Sequence, residues 1–266
     1  MKFLEGLSED IRKNLLEQLR VLWTHTSTAI EGNTLTLGET AFVLSEGLTI
    51  GGKPLKDHRD VEGHALAITT MYDLLGKDEI TAADLFELHK LVISERILDV
   101  YKPVGDWKRE NNSTIITADN RQVMIEYSAC RDVPELMKRW LALLSGCMAA
   151  KERSDVLDTY AKLHLSFEGI HPFFDGNGRI ARLICNLPCL KAGYPPIIIA
   201  KEQRYDYIMA LANYQFVHGV PTGETELVNE GIPFQRFRTL CERNWHASLD
   251  LVEQARALQR RREKSA

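Results

Sequence analysis

No stretch of this chain approaches the roughly 18 consecutive apolar residues of a membrane-spanning helix, so no membrane partner is expected. Its first residues, MKFLEGLSEDIRK, contain acids and lack the apolar run of a secretory signal. Positive charge is not in excess either. With 33 Lys and Arg against 37 Asp and Glu, the net charge is −4, which argues against non-specific nucleic-acid binding. Cysteine is sparse and odd in number: Cys130, Cys147, Cys185, Cys189 and Cys241. Only Cys185 and Cys189 lie close together, and no second Cys or His pair completes a zinc site. Five buried thiols in a reducing compartment, the cytoplasm, are the expectation. Internal repeats, low-complexity segments and clear linkers are also missing. What remains is ordinary globular material, 44% hydrophobic and 26% charged over 266 residues, long enough for a real core.

Most of that material repeats at helical period. Ser8 reads as the N-cap of a helix over 8–24, with Leu15, Leu16, Leu19 and Leu22 on one face. Residues 27–31 read as either its tail or a separate short helix, stopped at Gly32-Asn33. Thr36 or Gly38 opens the next helix, and further helices are predicted over 57–75 and 81–93, the second with Thr81 as N-cap. Between Pro103 and Tyr127 the pattern changes. Residues 113–117 and 122–125 are β-branched or apolar runs around Ala118, Asp119 and Asn120, which predicts a β-hairpin. Helix resumes over 133–144 and 155–168. The latter carries Leu157, Tyr160, Ala161, His164 and Phe167, a spacing that predicts one buried face. A helix over 179–192 contains Pro188, which should kink it or end its first part early. Ile197 to Ile199 reads as strand or extended core; helices over 204–216 and 234–262 complete the chain.

The densest chemistry lies at 171-HPFFDGNGRIAR-182. His171 precedes a proline and so should leave the helical region, ending the helix before it. Asp175, Gly176, Asn177 and Gly178 then fall at the N-terminus of the next helix. Glycines let successive N–H groups converge there, and the helix dipole adds positive potential, which suits a phosphate. Arg179 and Arg182, three apart, project from neighbouring positions and can grip phosphate oxygens in pairs. Asp175 among such donors makes sense as a Mg2+ ligand. His171 offers an imidazole, the side chain suited to accepting a proton near neutral pH. Singly, each part has a plain explanation as cap, turn or solvated face. Their conjunction reads as a set for hydroxyl attack on a nucleotide phosphate.

The motif resembles the Fic-domain pattern H-x-F-x-[D/E]-G-N-G-R-x-x-R at every specified position, and the flanks FEGIHPF, RLICN and AGYPP agree with it. The resemblance implies a mainly α Fic-fold bundle with a small β-hairpin flap, and an enzyme that transfers AMP from ATP to a protein hydroxyl with release of pyrophosphate. It implies His171 as base, Asp175 as Mg2+ ligand, and Gly176, Asn177 and Gly178 as the anion hole. Arg179 and Arg182 would hold the outer phosphates, with Phe173 a buried anchor. Tyr207, Leu211 and Gln215, from the stretch RYDYIMAL onward, could wall the adenine or be plain core. Thr114, Ile115, Ile116 and Thr117 fall where the family has its flap, which pairs with a target segment; a purely structural hairpin is the alternative. Partners would be ATP, a hydroxyl-bearing target protein and the chain itself, with a homodimer suggested. The expected division is an N-terminal region over 1–55, a catalytic core over 56–220 and a helical extension over 221–266.

A second stretch, 27-STAIEGN-33, resembles the family's inhibitory pattern [S/T]-x-x-x-E-[G/N] through Ser27, Glu31 and Gly32. The resemblance implies that Glu31 pairs with Arg182, in a bidentate contact, and so competes with the γ-phosphate of ATP. Glu31 could also position water for removing AMP from a modified target. Transfer of another phosphate-containing group, or a non-catalytic nucleotide-binding regulator, are the rival readings. The intact Gly178, His171 and Asp175 argue against both.

Overall fold

A computed structural model describes residues 1–93, 99–118 and 121–265. Helix α1 (Glu9–Ile30) is one continuous helix that absorbs residues 27–30 as its last turn. Ser8 occupies its N-cap, yet the Ser8 hydroxyl bonds Asp10 and makes no capping bond. The buried stripe of α1 is Ile11, Leu15, Leu19 and Trp23, an i, i+4 series. Leu16 and Leu22 lie on its margin, only partly buried. Helix α2 (Leu37–Glu46) starts from a capping box: the Glu39 N–H donates to Thr36 Oγ1 at 3.2 Å and the Thr36 N–H donates to Glu39 at 2.7 Å. Thr36, not Gly38, is therefore the start signal. Helices α3 (Leu55–Leu74) and α4 (Ala82–Val92) follow. The Thr81 N–H donates to Asp84 at 2.8 Å at the head of α4.

Strands β1 (Ser113–Ala118) and β2 (Arg121–Glu126) pair antiparallel, with Thr114 opposite Ile125 and Ile116 opposite Val123. The turn residues Asp119 and Asn120 lie outside the described residues. Helices α5 (Val133–Cys147) and α6 (Arg153–Ile170) come next. The single buried face expected of α6 is an underestimate: Leu163 through Ile170 are all buried, on every side. This happens because α5, helices later in the chain and the loop near Pro221 pack around it. Trp140 of α5 even donates its indole N–H to Leu163 O at 3.0 Å.

The helix expected over 179–192 is two. Helix α7 (Asn177–Ile184) begins two residues earlier than Arg179, and α8 (Leu187–Ala192) begins around Pro188. Between them Asn186 satisfies the exposed backbone. It donates to Arg182 O and Ile197 O, both at 2.9 Å, and accepts from the Ile197 N–H at 2.7 Å. Ile197 to Ile199 are thus buried extended chain held by a side chain instead of by a neighbouring strand. Helices α9 (Arg204–His218) and α10 (Ile232–Ser265) close the fold. One continuous core runs from Phe3 to Ala255, so residues of the 1–55 and 221–266 segments pack on the same core as those between. Each fully buried Leu, Ile or Phe in it contributes about 1.5–3 kcal/mol.

Candidate active site

The bend after α6 is held from several directions. His171 adopts left-handed backbone, φ 50°, the one such non-glycine among the described residues. Its N–H still donates to Phe167 O at 2.8 Å, a left-handed helix cap. Further along, Asn177 closes the loop with its side chain, accepting from the Phe173 N–H at 2.9 Å and donating to Phe173 O at 2.8 Å. From outside, Asn112 donates to Phe173 O at 3.0 Å, and Lys108 donates to Asn112 at 2.7 Å. Burial pushes the Lys108 ammonium down to about 8. His89 accepts the Gly105 N–H at Nδ1, 2.9 Å, so its proton sits on Nε2 and is donated to Asp175 O at 3.0 Å. Burial holds His89 down to about 4, which keeps it neutral. Its ring stacks on Phe173, centroids 4.0 Å apart, and Phe173 is fully buried against Trp107, Phe86 and Phe167 as well.

This bend opens on a cleft of ≈ 630 Å³. His171, Asp175, Gly176, Asn177, Gly178 and Arg182 line it, as do Glu31, Tyr207, Leu211 and Gln215, and Thr114 to Thr117 of β1 form one wall. A groove of ≈ 720 Å³ between α9 and α10 is larger but lies away from the bend and its chemistry. Gly176 is the N-cap of α7 with φ 79°, a conformation that disfavours any side chain. At Gly178 a Cβ would stand 2.7 Å from Glu31 Oε1 and 3.0 Å from Arg182 Nη1, so a side chain there would push the Glu31 carboxylate from its present place. The Asp175 side chain is 77% exposed at the rim, 3.5 Å from Arg179.

Three expected site residues do not line the cleft. Ser27 is buried behind Arg182, and Gly32 forms the exposed turn after α1 with φ 99°. Arg179 departs furthest from expectation. It donates to Val92 O at 2.6 Å and reaches Asp60 at 3.4 Å, so its guanidinium ties α7 to α4 and α3. It is not poised as a phosphate clamp in this structure.

Arg182 is 2% exposed and its fork is fully engaged. Nη2 contacts Glu31 Oε1 at 2.5 Å and also donates to Ser27 O at 3.0 Å. Nε donates to Ser27 Oγ at 3.0 Å, and Nη1 reaches the Tyr207 hydroxyl at 3.4 Å. The contact with Glu31 is therefore end-on through one nitrogen, not bidentate as the resemblance implied. Ser27 takes the second side of the fork. Glu31 caps the C-terminus of α1, where the helix dipole disfavours a negative charge. Burial also pushes its carboxyl up, but the charge and hydrogen bond of Arg182 outweigh this and hold it below the usual range. Protein surrounds Glu31, yet its side chain is 43% exposed because it faces the open cleft. Arg204 fixes the same turn, donating to Ile30 O at 2.7 Å.

The helical scaffold, the hairpin and this loop geometry coincide with a known family. The Fic/DOC family model matches residues 79–189. A solved Fic domain containing signaling protein from Bacteroides thetaiotaomicron VPI-5482 superposes with a TM-score of 0.78 at 26% identity, over 94% of this chain and 92% of that one. This chain is a Fic-domain protein. It is 34% identical over 221 residues to Protein adenylyltransferase Fic of Drosophila yakuba, covering 81% of the chain and 39% of the relative. It is 32% identical over 202 residues to Protein adenylyltransferase fic-1 of Caenorhabditis elegans, covering 75% and 37%. The chain thus spans about two fifths of the length of these curated relatives.

Around the Fic loop stand residues that sequence reasoning missed. Tyr127, just past β2, stacks on the His171 ring with centroids 3.6 Å apart and planes at 4°. Glu168, three residues before His171, places Oε2 3.5 Å from its Nδ1. His164 bonds the Tyr207 hydroxyl at 2.8 Å, so Tyr207 spends its polar end behind Arg182 while bordering the cleft. Tyr205, Ile208 and Met209 of α9 also line the cleft. Only Glu168 had a signal to find it by: a carboxylate one helical turn before a histidine.

Proposed function

We propose that this Fic domain is a protein adenylyltransferase that moves AMP from ATP to a Ser, Thr or Tyr hydroxyl of a target protein, held at rest by Glu31. One observation carries the reading: Arg182, at the floor of a cleft bordered by His171 and Gly178, is occupied by Glu31. The relatives named above as adenylyltransferases support it. The cleft's ≈ 630 Å³ falls within the roughly 300–1,000 Å³ of small-molecule sites. In the reaction the target hydroxyl gives its proton to His171. Its oxygen bonds the α-phosphorus, and the bond from that phosphorus to the bridging oxygen breaks, pyrophosphate leaving with the electron pair.

The backbone N–H groups of Gly176, Asn177 and Gly178 cradle the phosphates; the Asn177 side chain is already spent on the loop. Arg182 takes the terminal phosphate once Glu31 yields it. Leu211 and Gln215, with Tyr207 behind, receive the base. The β1 edge, Thr114 to Thr117, pairs with the target strand. The Asp175 carboxylate, exposed and only loosely opposed by Arg179, fits a hard cation. Mg2+ bound there would neutralise phosphate charge. The free cysteines fit a cytoplasmic setting, and no described helix is long and apolar enough to cross a membrane. We carry the homodimer as part of the proposal, to be read by light scattering.

The test is label transfer from α-labelled ATP. Glu31→Gly should raise auto-modification on the order of a hundredfold, since freeing the terminal phosphate restores in-line geometry. His171→Ala in that background should leave none. No transfer by the Glu31→Gly protein sinks the reading. The exposure of Glu31 to the cleft favours one further reaction, water-driven removal of AMP from a modified target, seen as AMP released by wild type and not by Glu31→Gly.

A further inference from the structure

We infer that Glu168 is a positioning residue for His171, fixing which ring nitrogen carries the proton and so which one faces the substrate. The inference rests on His171 acting as the base in the cleft.

Glu168 is 8% exposed, in the last turn of α6. Its Oε1 is buried without a hydrogen-bond partner, and the ion pair described for its carboxylate is the one with His171, at 3.5 Å. His171 Nδ1 is likewise buried and unpartnered. The oxygen that faces Nδ1 is Oε2, 3.5 Å away and just beyond good hydrogen-bond range, so the carboxylate stands opposite a ring nitrogen that has no other partner. A buried carboxylate left unpaired costs several kcal/mol, so a proton on Nδ1 is strongly favoured. A shift of about half an ångström would complete the bond, and such contacts often tighten only when substrate is bound.

The surroundings limit how that shift can occur. His171 is held in left-handed backbone by its cap to Phe167. Tyr127 lies flat on the imidazole, so the ring can slide in its plane but not tip out of it. The Tyr127 hydroxyl donates to Thr114 Oγ1 at 2.9 Å, which ties the stack to the flap. With Nδ1–H aimed at Glu168, the lone pair sits on Nε2. After Nε2 takes the target's proton, the imidazolium is flanked by a carboxylate that stabilises it. This is the work of the third member in a nucleophile–base–orienter set.

The test uses the full chain carrying Glu31→Gly, alone and with Glu168→Gln, which keeps the volume and removes the charge. Nitrogen-15 NMR on histidine-labelled protein reads the tautomer, the His171 signals being those absent from the His171→Ala spectrum. The parent should hold its proton on Nδ1, and Glu168→Gln should lose that preference. The kcat for AMP transfer should fall about tenfold to a hundredfold, while the KM for ATP stays within about twofold, because the nucleotide contacts are untouched. An unchanged tautomer overturns the proposal whatever kcat does, and so does a shifted tautomer with unchanged kcat. If the parent transfers no label, adenylyl transfer fails as a reading, and the tautomer alone still decides the role of Glu168.

Discussion

Arg179 and Arg182 stand three residues apart on α7, and the molecule uses them as different tools. Arg179 turns outward from the cleft to Val92 O and Asp60 and joins three helices. Arg182 turns inward, shared among Ser27, Glu31 and Tyr207. Both are buried and both are cationic. What separates them is their partners. A backbone carbonyl has no competitor, whereas an end-on carboxylate facing an open cleft can be displaced by another anion. Neighbouring positions in a motif can therefore hold one residue type for structure and for switching.

Substitutions at the two positions should break in different observables. In the Glu31→Gly background, Arg182→Ala should cut AMP transfer on the order of a hundredfold to a thousandfold, the cost of one missing oxyanion donor. Steady-state kinetics of the folded fraction would read it, apart from the stability lost with the bonds to Ser27 and Tyr207. Arg179→Gln should do the reverse. Losing its bond to Val92 O should cost about 2–3 kcal/mol of stability, visible as a lower Tm, with the KM for ATP of the folded fraction near the parent value. Equal loss of activity and unchanged Tm for Arg179→Gln would erase the distinction.

Acid should separate the same two sides. His89 anchors Asp175 on the loop side, and its pKa is lowered to about 4. The unfolded chain then binds more protons than the folded one between the ordinary histidine value and 4. Its contribution is full above about pH 6.5 and is lost as pH falls toward 4. His64, also buried and held down to about 3, adds in the same direction. Glu31 has a lowered carboxylate pKa, so its pairing is present above the ordinary value of 4.5 and lost only as pH falls through the folded one. Between pH 6.5 and 5 we expect Tm to fall while the folded protein stays inhibited. Activation in that window without loss of Tm would contradict this order. The smallest effect belongs to Ser27→Ala. It removes the contact to Nε but leaves Ser27 O on Nη2, so basal auto-modification should rise only about fivefold, the worth of one hydrogen bond of about 1 kcal/mol.

Local features of this fold were legible because they are written locally. The loop from His171 to Arg182, the Thr81 cap and the hairpin each depend on residues a few positions apart. The Glu31–Arg182 pair joins positions 151 residues apart and was reached only through family resemblance. The partners of Arg179, Val92 and Asp60, are set by helix packing that no spacing reveals. The same holds for α6, whose pattern advertises one face because its other buried residues include Ser166, Glu168 and Gly169. The bidentate contact expected of Glu31 failed because Ser27, four residues earlier on the same helix, satisfies Arg182 twice.

The stripe Ile11, Leu15, Leu19 and Trp23 seats α1 in the core, and Glu31 is one residue past that helix's last turn. An inhibitor mounted this way behaves as a permanently tethered ligand, present at a local concentration that dilution cannot lower. On the proposed adenylyltransferase reading, ATP would outcompete it by binding energy at the remaining phosphate and base contacts. The inhibited fraction should then depend on the nucleotide level and not on dilution of the enzyme. Any release signal has only the turn at Glu31 to Asn33 to act on, because the rest of the helix cannot leave without opening the core.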